Sequence, residues 1–316
     1  MSIAIAHPNI ALVKYWGKRD IALNLPAVSS VSLTLAPFAT RTEVQFGAVQ
    51  DEFHLDGQPA GAGEAHRIAK TLDLVVPGRS PAVVVTANDF PTGAGLASSA
   101  SGFAALVVAA ATAAGLPEDR TAWSRIARQG SGSACRSLFG GFAHWNRGVD
   151  PAGTDSVAQP LPDGDGWDVA MVVAITSTER KATSSTDGME RSRMTSPLYT
   201  TFVEQSEGDV AEAIAAIGRR DLERLGTVME SSTFKMHAVM ATSQPPLIYA
   251  LPATIALQHA VLDLRRSGVG AWMTMDAGPQ VKVLCTASDA AKVLAALQPL
   301  ASRVVIGRPG AAAAPC

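Results

Sequence analysis

Strands and helices mixed without a regular βαβ repeat predict an α+β fold for this chain. Three observations carry that prediction. Short β-rich runs crowd the first third, a small-residue helix follows a glycine-rich loop, and strands return near the C-terminal end. The early runs are residues 2–6, 30–35, 41–46, 52–55 and 82–86. Residues 30–35 (SVSLTL) alternate polar and apolar side chains, which predicts a strand with one wet face. Residues 98–114 are almost all Ala, Leu, Val and Phe with Ser and Gly, then Gly115-Leu116-Pro117 follows. That pattern predicts a buried helix with a glycine stop and a proline just beyond. A second helix covers 120–128 and is broken by the glycines of 130–132. Residues 151–166 are Pro/Gly/Asp-rich and read as a surface loop, and 168–175 as a strongly apolar strand. From 176 to 197 the chain is polar and Ser/Thr-rich with little periodicity, the composition of a long functional loop. Helical periods fill 211–240 and 254–266. Strands are expected at 271–275, 281–285 and 303–306, with a helix at 289–297 whose N-cap is Ser288. Residues 310–316 read as a frayed tail. The composition shift divides the chain near 176, into residues 1–176 and 177–316.

The 316 residues suffice for one large or two medium domains. With 26 basic and 28 acidic side chains there is no basic excess, which argues against a dedicated nucleic-acid partner. An apolar content of 47% against 17% charged excludes wholesale disorder. No signal peptide and no membrane-spanning run is visible. Three scattered cysteines (Cys135, Cys285, Cys316) suggest neither a disulfide scaffold nor a zinc site. The expectation is a globular protein of the cytoplasm without a membrane partner.

Four segments carry possible chemistry. In PTGAGLASSASG, starting at Pro91, glycines let a backbone approach an anion, and the following helix offers free N–H groups and a positive dipole end. Ser98 and Ser99 add hydroxyls. Neither a Walker A lysine nor GxGxxG is present, and an ordinary N-capped turn reads the same way. The segment NIALVKYWGKRD (residues 9–20) gathers Lys14, Tyr15, Trp16, Lys18 and Arg19. GSGSACRSLFGG (130–141) sets Ser131, Ser133 and Arg136 among small residues, and TMDAGP (274–279) puts Asp276 where a strand meets a turn. Each alone reads equally as a turn device. Together they supply cations, hydroxyl donors and one base, the parts a phosphoryl-transfer site on an anionic substrate needs. The six histidines have no ligand-like spacing, and no protein metal site or triad is expected from them.

PTGAGLASSASG resembles the phosphate loop of the galactokinase, homoserine kinase, mevalonate kinase and phosphomevalonate kinase (GHMP) superfamily. Within it, NIALVKYWGKRD, LNLPAVSSVSLTL, ARQGSGSACRSLFGGF, SSTDGM, TSPLY and MTMDAGP resemble the diphosphomevalonate decarboxylases, in family order over residues 9–285. The resemblance implies a two-domain GHMP kinase-like α+β fold with the site in the cleft between domains, ATP with Mg²⁺, and a homodimer. The implied reaction converts mevalonate 5-diphosphate and ATP into isopentenyl diphosphate, ADP, phosphate and CO₂. By motif, Asp276 is the acid/base on the 3-hydroxyl with Lys14 beside it, and Arg136 holds the carboxylate. Tyr15, Lys18, Ser131, Ser133 and Ser185 contact the substrate, largely through its diphosphate. Gly93, Gly95, Leu96, Ala97, Ser98 and Ser99 face ATP. Gln280 stands where the family commonly has Asn, so a hydrogen bond near Asp276 is expected to be re-routed. The competing readings are a decarboxylase of the 5-phosphate or a 3-kinase on the same scaffold, and a non-catalytic small-molecule sensor; retention of Lys14, Arg136 and Asp276 favours completed decarboxylation.

Overall fold

The computed structural model describes residues 1–90, 98–179 and 183–316. β1 (Ser2–Ala6) runs into β2 (Asn9–Val13), the short pair β3 (Lys18–Asp20) and β4 (Leu25–Pro26), and then β5 (Ser30–Ala36) and β6 (Thr40–Phe46). β7 (Glu52–Leu55), β8 (Gln58–Pro59), helix α1 (Ala62–Val75) and β9 (Ala82–Asn88) follow. The small-residue helix α2 (Ser98–Ala113), α3 (Arg120–Gly130) and the single turn α4 (Ala134–Ser137) lead to β10 (Phe142–Trp145) and β11 (Ala158–Pro160). After β12 (Val169–Ile175) come four helices, α5 (Ser185–Thr195), α6 (Tyr199–Arg219), α7 (Leu222–Ala241) and α8 (Pro252–Arg266). β13 (Ala271–Thr274), β14 (Val281–Thr286), α9 (Ala290–Leu297), β15 (Arg303–Pro309) and β16 (Ala314–Pro315) end the chain. Two large sheets result, ordered β16-β1-β6-β9-β7-β8 and β11-β10-β5-β15-β12-β14-β13, with β2 also paired to β5. The mixed α+β class is as the sequence predicts. Among the described residues, no helix is long and apolar enough to cross a membrane.

α2 is apolar all round, so it must be covered all round. It lies between β1 and β6 on one side and α1, α3 and α4 on the other, and its alanines let these layers approach closely. Gly115 stops it in the left-handed region, at φ 67°. In the second sheet, β5 joins β15, so strands from both halves of the chain form one surface. α7 lies directly on β13: a Cβ at Gly226 would come within 2.1 Å of the Trp272 ring, a separation only glycine permits. That close approach brings Ser232 and His237 of α7 down towards the turn after β13.

Several expectations are corrected. The polar face of residues 30–35 is not wet: Ser30, Ser32 and Thr34 are wholly buried. β5 is an interior strand, and protein groups replace water at two of these residues, with Thr34 Oγ1 donating to Phe139 O at 2.8 Å and Ser30 Oγ accepting from Arg136. The polar stretch 176–197 contains α5, whose N-cap Ser184 accepts from Asp187 N. Only Gly188, Met189 and Ser192 of that helix are buried, too few to leave an apolar period in the sequence. The helical run expected at 211–240 begins at Tyr199 and is two helices. Arg220 takes φ 53° between them, and Asp221 caps the second by accepting from Arg224 N. Residues 151–166 hold β11 and a 3₁₀ turn at Pro162–Gly164, and two of their carbonyls, Gly153 and Ser156, accept from the buried Arg128. Asp289, not Ser288, is the N-cap of α9; the Ser288 hydroxyl pairs with Thr286. The tail is not frayed, because β16 pairs with β1, Ala313 is wholly buried and Cys316 N donates to Ile3 O.

Candidate active site

β2 is buried along its whole length and delivers Lys14 into the interior immediately past its end. The Lys14 backbone N–H donates to Ser232 Oγ of α7 at 3.0 Å, and Nζ donates to Ala11 O at 2.8 Å. Nζ also lies 2.8 Å from Asp276 Oδ1. Asp276 follows β13 by two residues, in a tight turn where Gly278 N donates to Asp276 O. Its second oxygen, Oδ2, receives a hydrogen bond from Lys282 Nζ at 2.9 Å. Both lysine side chains are 1% exposed, whereas Asp276 keeps 27%, so the carboxylate is the accessible tip of a buried ion triad.

The charges tune one another. Burial pulls the Lys14 ammonium down to about 8; Asp276 resists this, and Lys282 and Arg136 add to it. Burial pushes the Asp276 carboxyl up, but the two ammonium groups outweigh it and hold the carboxylate well below its usual range. Arg136, on α4, is buried; its Nε donates to Asn9 Oδ1 at 3.0 Å and Nη1 to Ser30 Oγ at 2.7 Å. Asn9 is itself oriented by donating to Ser133 O and Ser137 Oγ. The guanidinium also lies over the Trp145 ring, 5.7 Å from its centroid. Its partners among the described residues are therefore neutral. A buried cation with neutral partners is costly unless an anion arrives to complete it.

The donors expected to meet a diphosphate are found in separate contacts. Tyr15 packs edge-on against Trp145 at 4.8 Å, so it shares a wall with Arg136, and its buried hydroxyl has no partner among the described residues. Lys18 Nζ donates to Thr186 Oγ1 at 3.4 Å, beside Ser185 in the first turn of α5. Burial lowers the Lys18 ammonium, with the nearby Arg67 charge, while Asp187 opposes. Ser131 Oγ lies 3.2 Å from Ser99 Oγ, which joins the start of α2 to the segment carrying Ser133 and Arg136. Gly93, Gly95, Leu96 and Ala97 lie outside the described residues. Next to Ser98 and Ser99 opens a pocket lined by Leu55, Arg67, Ile68, Thr86, Asn88 and Phe103.

The N-terminal segment, residues 6–158, matches the model of the diphosphomevalonate decarboxylase-like N-terminal domain. Residues 171–305 match that of the mevalonate 5-diphosphate decarboxylase C-terminal domain. The diphosphomevalonate decarboxylase of Eremothecium gossypii is 38% identical, over 93% of this chain and 80% of the relative. The chain belongs to the diphosphomevalonate decarboxylase family. The mevalonate diphosphate decarboxylase of Staphylococcus aureus has the same fold, with a TM-score of 0.93 and 36% identity, covering 100% of this chain and 97% of the other. A protein solved in complex with MVAPP, AMPPCP and magnesium matches with a TM-score of 0.92 and 37% identity, covering 100% of this chain and 98% of the other. In this diphosphomevalonate decarboxylase-family chain, Gln280 is buried and bridges two backbone groups. Its Oε1 accepts from Thr176 N, and its Nε2 donates to Ser177 O, each at 2.6 Å. It thus ties the Asp276 turn to the end of β12.

Sequence reading missed four residues of the site. Lys282 is one charge inside the apolar run VKVLC, a pattern that signals a paired buried lysine. Asn9, at the start of the NIALVKYWGKRD segment, and Ser30, in a predicted strand, are not singled out because their partner, Arg136, is more than a hundred positions away. His237 of α7 faces the same charges; burial and Lys14 pull it down to about 4, so it is neutral at neutral pH. Among one chain's histidines, nothing in the local sequence distinguishes it.

Proposed function

We propose that the protein catalyses the ATP-dependent decarboxylation of mevalonate 5-diphosphate to isopentenyl diphosphate, with release of ADP, phosphate and CO₂, a step of isoprenoid biosynthesis. The observation that carries this reading is Arg136, a buried guanidinium with neutral partners placed near a carboxylate base braced by two lysines. A guanidinium fork suits a substrate carboxylate, and it offers no readily lost proton to quench decarboxylation. Asp276 accepts the proton of the 3-hydroxyl as that oxygen takes the γ-phosphoryl group of ATP. The 3-phosphate then leaves with its bonding electrons, and electrons from the breaking C1–C2 bond form the alkene as CO₂ departs. Lys14 stabilises the ionised Asp276 and offers positive charge to the transferring phosphoryl group.

Tyr15, Lys18, Ser131, Ser133 and Ser185 bind the diphosphate, and this remote binding orients the reacting end. Ser98 and Ser99 at the start of α2 meet the ATP phosphates together with the glycine loop (Gly93, Gly95, Leu96, Ala97), and the adjoining pocket takes the nucleoside. The two serine hydroxyls are hard oxygen donors that fit a magnesium ion shared with those phosphates; when bound, Mg²⁺ neutralises phosphate charge. We place the protein in the cytoplasm as a homodimer of two-domain chains divided near residue 176, which light scattering and limited proteolysis test. The decisive assay measures ADP and CO₂ from mevalonate carrying zero, one or two phosphates. Two unmet polar groups at roughly 1–3 kcal/mol each correspond to a preference for the diphosphate of about 10²–10⁴. Equal kcat/KM for the 5-phosphate moves the protein to the monophosphate branch, and ADP without CO₂ makes it a kinase.

A further inference from the structure

Asp276 carries an ion pair on each oxygen, and the mechanism above uses only one of them. Lys14 Nζ lies 2.8 Å from Oδ1, and Lys282 Nζ lies 2.9 Å from Oδ2. Lys282 stands inside β14, in register with Val173 of β12 on one side and Thr274 of β13 on the other. Its strand neighbours Val281 and Val283 are wholly buried. An ammonium in that place gives up its water, and an apolar residue of similar volume avoids the penalty. Stability alone therefore does not account for it. Its ammonium contacts Asp276 Oδ2, so its influence on the reacting hydroxyl runs through the carboxylate.

We propose that Lys282 is a positioning residue of this reaction, pinning the second oxygen of Asp276 so that the carboxylate stays ionised and aimed at the substrate hydroxyl. The inference rests on the function proposed above. A carboxylate has about four lone-pair directions. Two ammonium groups, one just past β2 and one within β14, take one on each oxygen and fix its plane, leaving the exposed edge to receive the hydroxyl proton. The atoms balance with ATP as the co-substrate: the substrate O–H bond breaks and its proton moves to Asp276, the O–P bond to the γ-phosphoryl group forms, and the bridging P–O bond breaks so that ADP leaves with those electrons.

Lys14 cannot do this alone. It shares its ammonium with Ala11 O, and burial brings that ammonium to about 8. The other titratable groups facing Asp276 are Arg136 of α4 and His237 of α7. Arg136 is engaged with Asn9 and Ser30, and His237 is neutral at neutral pH. Lys282 holds the carboxylate oxygen that Lys14 does not contact.

The test is Lys282→Met, which keeps the side-chain length without the charge, with Lys282→Arg as the charge-retaining control. Kinetic constants are measured for both substrates across pH, alongside Tm. We expect kcat of Lys282→Met to fall roughly 10²-fold, the scale of a mispositioned catalytic group, with KM for ATP nearly unchanged. A new acid limb should enter its pH profile as the Asp276 carboxyl moves up, and Lys282→Arg should recover much of kcat. Added to Asp276→Asn, Lys282→Met should cost almost nothing more, because the group it serves is gone. A Lys282→Met enzyme with the parent pH profile and kcat, changed only in Tm, overturns the proposal, as does a full additional loss on the Asp276→Asn background. Should Lys282→Met fail to fold, Lys282→Gln carries the same pH comparison. Failure of the unmutated enzyme to release CO₂ refutes the proposed function; an active enzyme whose variant profile does not move refutes this inference alone.

Discussion

The charged centre and the rim proposed to meet the phosphates are built differently. Lys14, Asp276, Lys282 and Arg136 sit on or beside interior strands and α4, with the three cations almost fully buried and held at 2.7–3.0 Å by named partners. Lys18, Ser185 and Ser99 sit on a two-stranded ribbon and the first turns of helices, and the Lys18 contact to Thr186 is a long, exposed 3.4 Å. The centre spends desolvation to fix geometry, as charge transfer in a transition state requires. The rim keeps its cation near water, where releasing a product diphosphate is not opposed by a buried unpaired charge.

The largest effect tests the centre. Asp276→Asn keeps the shape and removes the base, and kcat should fall on the order of 10³-fold, within the usual range for acid/base catalysis. Binding of a fluorescent ATP analogue should persist. Near-normal turnover would remove Asp276 from the mechanism. Arg136→Lys comes next: the charge stays but the planar fork is lost, which should cost about 2–3 kcal/mol in kcat/KM for the carboxylate substrate. If Arg136 merely braces its glycine-rich segment, ATP binding by itself should weaken in parallel and Tm should drop.

A smaller change is expected at the rim. Lys18→Ala should raise KM for the diphosphate by about tenfold, the value of one partly exposed charged hydrogen bond, and narrow the preference over the monophosphate. Equal loss at kcat would break the distinction between rim and centre. The pH profile sharpens it further. Lys14 has its ammonium lowered to about 8, so it is protonated below that pH and loses its charge as pH rises through it. Activity should therefore decline on the alkaline side, by up to about tenfold one unit above the midpoint. Asp276 is shifted the opposite way: its carboxylate is present above the ordinary carboxylate range and lost only as pH falls below it. No acid limb from Asp276 should appear at pH 5. A profile with its limbs reversed contradicts the charge assignment of the triad.

Much of the scaffold was legible because its signals are local. The apolar run of α2 and its Gly115 stop, the apolar β12 and the strands around it all read directly from neighbouring residues. α5 was hidden because a helix with three buried residues leaves no period, although its Ser184 cap was there to be read. The motifs likewise marked Lys14, Arg136 and Asp276 individually. What no local pattern contains is their meeting: Lys14 and Asp276 are 262 positions apart, and Arg136 reaches Ser30 across 106.

The sequence by itself determined the class of fold, the helices and strands with strong periods, and the residue types the chemistry needs. Only the tertiary structure decided which faces are dry and which charges touch. SVSLTL has the alternation of a half-solvated strand, yet its polar face is buried because α4 and its neighbours cover it. Lys282 has the bare signature of a charge in a strand, and becomes a partner of Asp276 only when β13 and β14 pair in register. The reason is physical. Side-chain periodicity reports a residue's preference for water, which its own segment carries. Burial, desolvation and ion pairing depend on groups that the rest of the chain brings to it.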